Sequence, residues 1–116
     1  MLVTISTLSL KSQVVEFVKT PKKADIVLIR VYDPFQADIR VYMTKDLTKA
    51  YKYDCMWYCA TSNTDIKVYM SESVLDKKLI GSYIYGKIYI VKNEEDRGYK
   101  EENTLIENLI RIHRKK

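Results

Sequence analysis

Apolar and polar positions alternate along most of this chain with a period of two. Ile39, Val41 and Met43 fall on one side and Arg40, Tyr42 and Thr44 on the other; Ile66, Val68 and Met70 part in the same way from Lys67, Tyr69 and Ser71. Successive side chains of a strand point to opposite faces, so the pattern predicts half-buried strands. β-branched and aromatic residues dominate these segments, as strands favour. Strands are expected near residues 14–19, 26–32, 39–44, 56–60, 66–71, 82–85 and 87–92. Asp33-Pro34, Lys45-Asp46, Ser62-Asn63 and Asn93-Glu94 supply the turn chemistry between them. After Asp96 the period changes. Thr104-Leu105-Ile106-Glu107 reads as a capping box, and Leu105, Leu109 and Ile112, with Ile106 and Ile110, recur at helical spacing. This predicts a helix over about 104–115, whose stripe would cover a flank of the β-body or the same stripe of a second chain.

The strands also repeat. Ala24-Asp25-Ile26, Ala37-Asp38-Ile39 and Thr64-Asp65-Ile66 form a series; the first two starts are 13 residues apart and the next lies about twice that distance on. Ile39–Thr44 and Ile66–Ser71 agree position by position, and Gly86-Lys87-Ile88-Tyr89-Ile90-Val91 is a third copy. A short carboxylate at each start accepts backbone N–H bonds and launches the next strand. The alternative is that Asp25, Asp38 and Asp65 gather round a metal or act as an acid–base pair. One Asp at an equivalent place in each repeat is what a structural rule produces.

From about Val14 to Tyr99 the chain resembles the septoil-knot domain family, small proteins whose chain ties a seven-crossing torus knot. The resemblance is carried by Ala-Asp-Ile before a strand with Val-Tyr or Ile-Tyr, and by the linker and restart Asp33-Pro34-Phe35-Gln36-Ala37-Asp38. Met56-Trp57-Tyr58 resembles the family's central strand, Lys87-Ile88-Tyr89 its last repeat, and Arg97-Gly98-Tyr99 its closing segment. The stretch Leu75–Tyr83 is longer than one period; it either loops out without altering the winding or changes the topology. The resemblance implies a mainly β fold, deeply knotted, without a recognised catalytic site and resistant to unfolding.

The expected architecture is therefore mainly β. An N-terminal extension (1–13) precedes one small domain of ~13-residue strand repeats (14–99). A C-terminal α-helix with a basic end (100–116) follows. The chain has 116 residues, 20 Lys and Arg against 15 Asp and Glu, and a net charge of +5. Arg111, Arg114, Lys115 and Lys116 supply four of those five charges in a segment without an acid, leaving residues 1–110 nearly neutral. The basic total thus belongs to a short tail, where cations also favour the negative end of a helix dipole.

Candidate chemistry is sparse. Cys55 and Cys59 are spaced C-x3-C and the only His is His113, a set short of the four ligands of a structural zinc site. On a strand the two thiols stand ~13 Å apart, too far for a disulfide, and read as buried or half-buried free thiols. The three glycines at 81, 86 and 98 are isolated and form no phosphate loop. Trp57 reads as core. The pairs Arg30 with Tyr32, Arg40 with Tyr42, Lys67 with Tyr69 and Lys87 with Tyr89 would let bases stack and phosphates pair on one face, or would merely pack cross-strand. A non-catalytic structural or protein-interaction module follows, without cofactor, catalytic or metal residues, and with a protein partner or second copy held by Leu105, Leu109, Ile110 and Ile112. The competing reading is nucleic-acid binding through Arg111, Arg114, Lys115 and Lys116 and the Arg/Lys–Tyr face. No apolar run approaches the ~20 residues of a membrane helix, MLVTISTLSL lacks the pattern of a secretory signal, and a cytoplasmic protein is expected.

Overall fold

The computed structural model describes residues 13–99. Six of the alternating segments form strands: β1 (Val14–Phe17), β2 (Ile26–Arg30), β3 (Ile39–Met43), β4 (Met56–Cys59), β5 (Ile66–Ser71) and β6 (Gly86–Val91). They run parallel in the order β4-β1-β5-β2-β6-β3, and pairing of β4 with β3 closes the barrel. A seventh strand, β7 (Gly98–Tyr99), lies antiparallel on the start of β3. Residues 82–85, expected as a strand, are not one: Gly81 turns the chain at φ +83°, and the segment keeps one ladder-like bond, from the Tyr85 N–H to Val27 O. A helix that the alternation did not predict, α1 (Leu47–Lys52), follows Asp46, whose side chain caps it by accepting from the Thr48 N–H. Six residues are too few to display a helical period. The expected helix at 104–115 and the segments 1–12 and 100–116 lie outside the described residues.

The strand order follows one rule. From β1 to β2, β2 to β3, β4 to β5 and β5 to β6 the chain skips one place in the ring, always in the same sense; only β3 and β4 are adjacent. β5 and β6 thus fill the gaps left on the first circuit. Three connections pack on the strand they skip: the 3-10 turn Pro21–Lys23 on β5, Pro34–Gln36 on β6, and Glu94–Asp96 on β3. Parallel crossovers usually need a dozen or more residues and a helix. Strands of five and six residues are crossed here by a single turn of 3-10 helix. Ile26 stands opposite Val68, Gly86 opposite Leu28 and Ile39 opposite Ile88, so each start is set about two residues along its neighbour. This stagger inclines the strands and closes a narrow barrel.

The apolar face of every repeat points into that barrel. Val15, Ile26, Leu28, Ile39, Val41, Cys55, Trp57, Ile66, Val68 and Ile88 are buried in one cluster. Each fully buried aliphatic side chain stabilises the fold by about 1.5–3 kcal/mol. Trp57 fills the interior beside Phe17, their rings 6.2 Å apart. The uninterrupted run Ile26–Ile29 marks a strand covered on both faces. Val27 and Ile29 are buried on the outside with Tyr69 and Leu79, Leu79 coming from the connection between β5 and β6. The long segment therefore folds back onto the barrel, and its step around the ring is the same as the others.

The repeated Asp residues hold the staggered strand starts. The Asp25 N–H donates to Lys67 O and its Oδ2 accepts from the Lys67 N–H, both at 2.7 Å. Asp38 makes the same two bonds with Lys87, at 2.8 and 2.7 Å, and Asp65 with Val14, at 2.7 and 2.8 Å. Because each strand begins beyond the start of its neighbour, a backbone N–H would lack a ladder partner there. The carboxylate supplies one. Gln13 does related work at the start of β4, its Oε1 accepting from the Cys55 N–H at 3.0 Å, where Cys55 holds a left-handed φ of 60°.

Candidate functional site

The aromatic and basic residues of the repeats do not share one surface. Tyr69 is buried under the β5–β6 connection. Tyr32 lies under Arg30, 4.9 Å from guanidinium carbon to ring centre, and donates to Glu72 Oε1 at 2.6 Å; this bond, with Glu72's charge and some burial, raises the phenol's pKa despite the opposing charge of Arg30. The expected pair Arg30 and Tyr32 thus meets, and the barrel register adds cross-strand neighbours. Arg40 of β3 stands opposite Tyr89 of β6.

Around that pair lies an open cleft of about 560 Å³, walled by the turns Pro34–Gln36 and Glu94–Asp96. Asp33 sets the first turn, accepting from the Phe35 N–H at 3.0 Å, with Pro34 fixing the next φ. Phe35 is thereby held at the rim, 82% exposed. The Arg40 guanidinium lies 5.9 Å from the Phe35 ring centre, and its Nε donates to Pro34 O at 3.0 Å. Arg97, on the far wall, donates from Nε to Asp54 O at 2.9 Å and from Nη1 to Glu94 O at 2.8 Å, over the ring of Tyr53. Lys92 is the third cation of the lining, and Asn93, Glu95 and Asp96 complete its polar part. Glu94 itself is engaged by Lys49 at 2.6 Å, a pairing that raises the lysine's pKa. The sequence marks Arg40 and Tyr89 as members of its basic–aromatic pairs, but not their meeting with Phe35, Lys92 and Arg97.

A second surface is built by the connection between β5 and β6. Its base is tied down: Asp76 Oδ2 accepts from the Tyr69 hydroxyl and from Ser71 Oγ, and its Oδ1 accepts from the Lys78 N–H at 2.9 Å. The Tyr69 bond is the main cause holding the Asp76 carboxyl below its ordinary range, and it raises the Tyr69 phenol in turn. Leu79 points inward, whereas Leu75 and Ile80 are 85% and 84% exposed and Val74 and Tyr83 stand out beside them. Lys77 and Lys78 lie between.

Other sequence-derived candidates separate. Asp25, Asp38 and Asp65 are each bonded to a backbone amide on a different strand pair, and no group of three His, Cys, Asp or Glu arranged for a metal occurs among the described residues. Cys55 and Cys59 form no disulfide; Cys55 is buried, but Cys59 is exposed, because β4 ends there and its side chain leaves the core. Arg111, Arg114, Lys115 and Lys116, like Leu105, Leu109, Ile110 and Ile112, lie outside the described residues. No helix of the described residues is long and apolar enough to cross a membrane. No protein-family profile, curated protein or solved structure matches this chain.

Proposed function

We propose that this chain is a non-catalytic protein-interaction module, a stiff wound barrel that presents the segment Ser73–Ile84 to a protein partner. The observation that carries the reading is the outward display of Leu75 and Ile80 on a segment whose base is anchored by Leu79 and Asp76. A merely solvated loop of this length would be polar and free to move. Lys77 and Lys78 among the apolar side chains suit a partner with an apolar patch rimmed by acids. The barrel winds as a septoil knot and unfolds slowly, a reading supported by the same-sense, place-skipping order of its strands. It works in the cytoplasm, which suits an exposed free thiol at Cys59.

The test is affinity capture with the full chain against Leu75→Asp/Ile80→Asp, both exposed positions that leave the barrel intact. A protein retained by the wild type and lost by the variant, then shown to bind directly in purified form, is the expected result. Identical retention by both chains refutes the docking surface. The winding is tested separately: degradation by an unfoldase protease is expected to stall, and rapid reversible unfolding in mild urea would refute it.

A further inference from the structure

The cleft between the turns Pro34–Gln36 and Glu94–Asp96 has no part in that docking surface and stands on other elements of the barrel. We propose that it binds a nucleoside phosphate with an amine-bearing base, between the ring of Phe35 and the cations Arg40, Lys92 and Arg97. Phe35 is the first reason. A phenylalanine 82% exposed at the mouth of a cleft, on a turn locked by Asp33 and Pro34, offers a flat apolar face at little conformational cost. Every nucleobase has a face that stacks on such a ring.

The cations are the second. Arg40 and Arg97 are both oriented through Nε by backbone carbonyls, those of Pro34 and Asp54. Arg40 makes no other hydrogen bond within the described residues, so the terminal nitrogens of its planar fork remain for a phosphate. The carboxylates in the lining are the third. Glu95 and Asp96 offset part of the positive charge, which makes the cleft a poor site for a bare anion. Carboxylates beside an aromatic platform instead accept from ring amines, as acidic side chains do from the exocyclic amine of cytosine. The volume, about 560 Å³, lies within the range of small-ligand sites.

The ligand chemistry is shared by a free nucleotide and by one unit of a single-stranded nucleic acid. The experiment titrates the full chain at low salt with adenosine monophosphate, a labelled ten-nucleotide oligo-deoxyadenylate and inorganic phosphate. Adenosine monophosphate is expected to bind, with inorganic phosphate weaker by at least tenfold. Phe35→Ala and Lys92→Glu, both at the rim, are each expected to weaken binding about tenfold, the scale of one lost stacking partner or of an inverted charge. Replacing Arg111, Arg114, Lys115 and Lys116 together by Gln leaves nucleotide binding unchanged. An oligonucleotide more than tenfold tighter than the mononucleotide, and equally sensitive to Phe35→Ala, identifies the strand as the source; equal affinities identify the free nucleotide. Failure of both adenine probes to bind, or binding indifferent to Phe35→Ala, or phosphate binding as tightly as the nucleotide, overturns the site. Each of those outcomes leaves the docking surface at Leu75 and Ile80 untouched.

Discussion

Replacing Asp38 by Ala removes the acceptor that the Lys87 N–H uses at 2.7 Å, while the Asp38 N–H keeps its bond to Lys87 O at 2.8 Å. A hydrogen bond to a charged group contributes about 1.5–3 kcal/mol, and a neutral one about 1 kcal/mol. Lys87 is exposed, so water recovers part of the loss when the carboxylate goes. The expected destabilisation is therefore about 1–2 kcal/mol for Asp38→Ala and about half that for Asp38→Asn, which keeps an oxygen at the same place. Equilibrium denaturation, with incubation long enough for forward and reverse curves to coincide, reads the change as a shift in midpoint at constant slope. Asp25 and Asp65 serve other strand pairs, so the costs of Asp25→Ala and Asp65→Ala should add to that of Asp38→Ala. Asp38→Ala and Asp38→Asn with unaltered midpoints would refute the account of the repeated carboxylate as the partner of a staggered strand start.

Gly81→Ala should cost about 1–2 kcal/mol from backbone strain alone, since φ there is +83° and an added Cβ meets nothing within 4 Å; thermal denaturation of the purified variant checks it. The tie between Asp76 and Tyr69 should survive mild acid. The Asp76 pKa is lowered in the fold, so its contribution is complete above the ordinary carboxylate pKa and is lost as pH falls through the lower folded value. Limited proteolysis of the 73–84 segment should thus rise only below the ordinary carboxylate range, and should be raised at neutral pH by Tyr69→Phe. Thiol titration of the native chain should register Cys59 at once and Cys55 only after unfolding, as their exposed and buried positions require; equal rates would contradict the burial of Cys55.

Ile39, Val41 and Met43 were assigned to one face by alternation, and that face is the barrel interior. The Asp of each repeat was read as a turn carboxylate bonding backbone, and it does so three times with the same geometry. The segment 82–85 has a local pattern of apolar and polar residues that resembles a strand, but Gly81 turns the chain just before it and only Tyr85 reaches the β2 backbone, so regular pairing starts at Gly86. The cleft as an assembled site was not legible, although Arg40 and Tyr89 belong to the basic–aromatic pairs of the repeats. Arg40 and Tyr89 are far apart in sequence, and no local signal records which strand will lie beside which.

Strand character, the repeat, the inward face of each strand and the carboxylate at each start were determined by the sequence alone, because they depend on neighbours one or two residues away. The order of the ring, its parallel closure, the double burial of β2 and the meeting of Phe35, Arg40, Tyr89 and Arg97 were decided only by tertiary structure. Near-identical strands can pair with one another in many ways. The residue stagger of the pairs and the short turns that cross β5, β6 and β3 select this arrangement, and both are properties of the closed barrel as a whole.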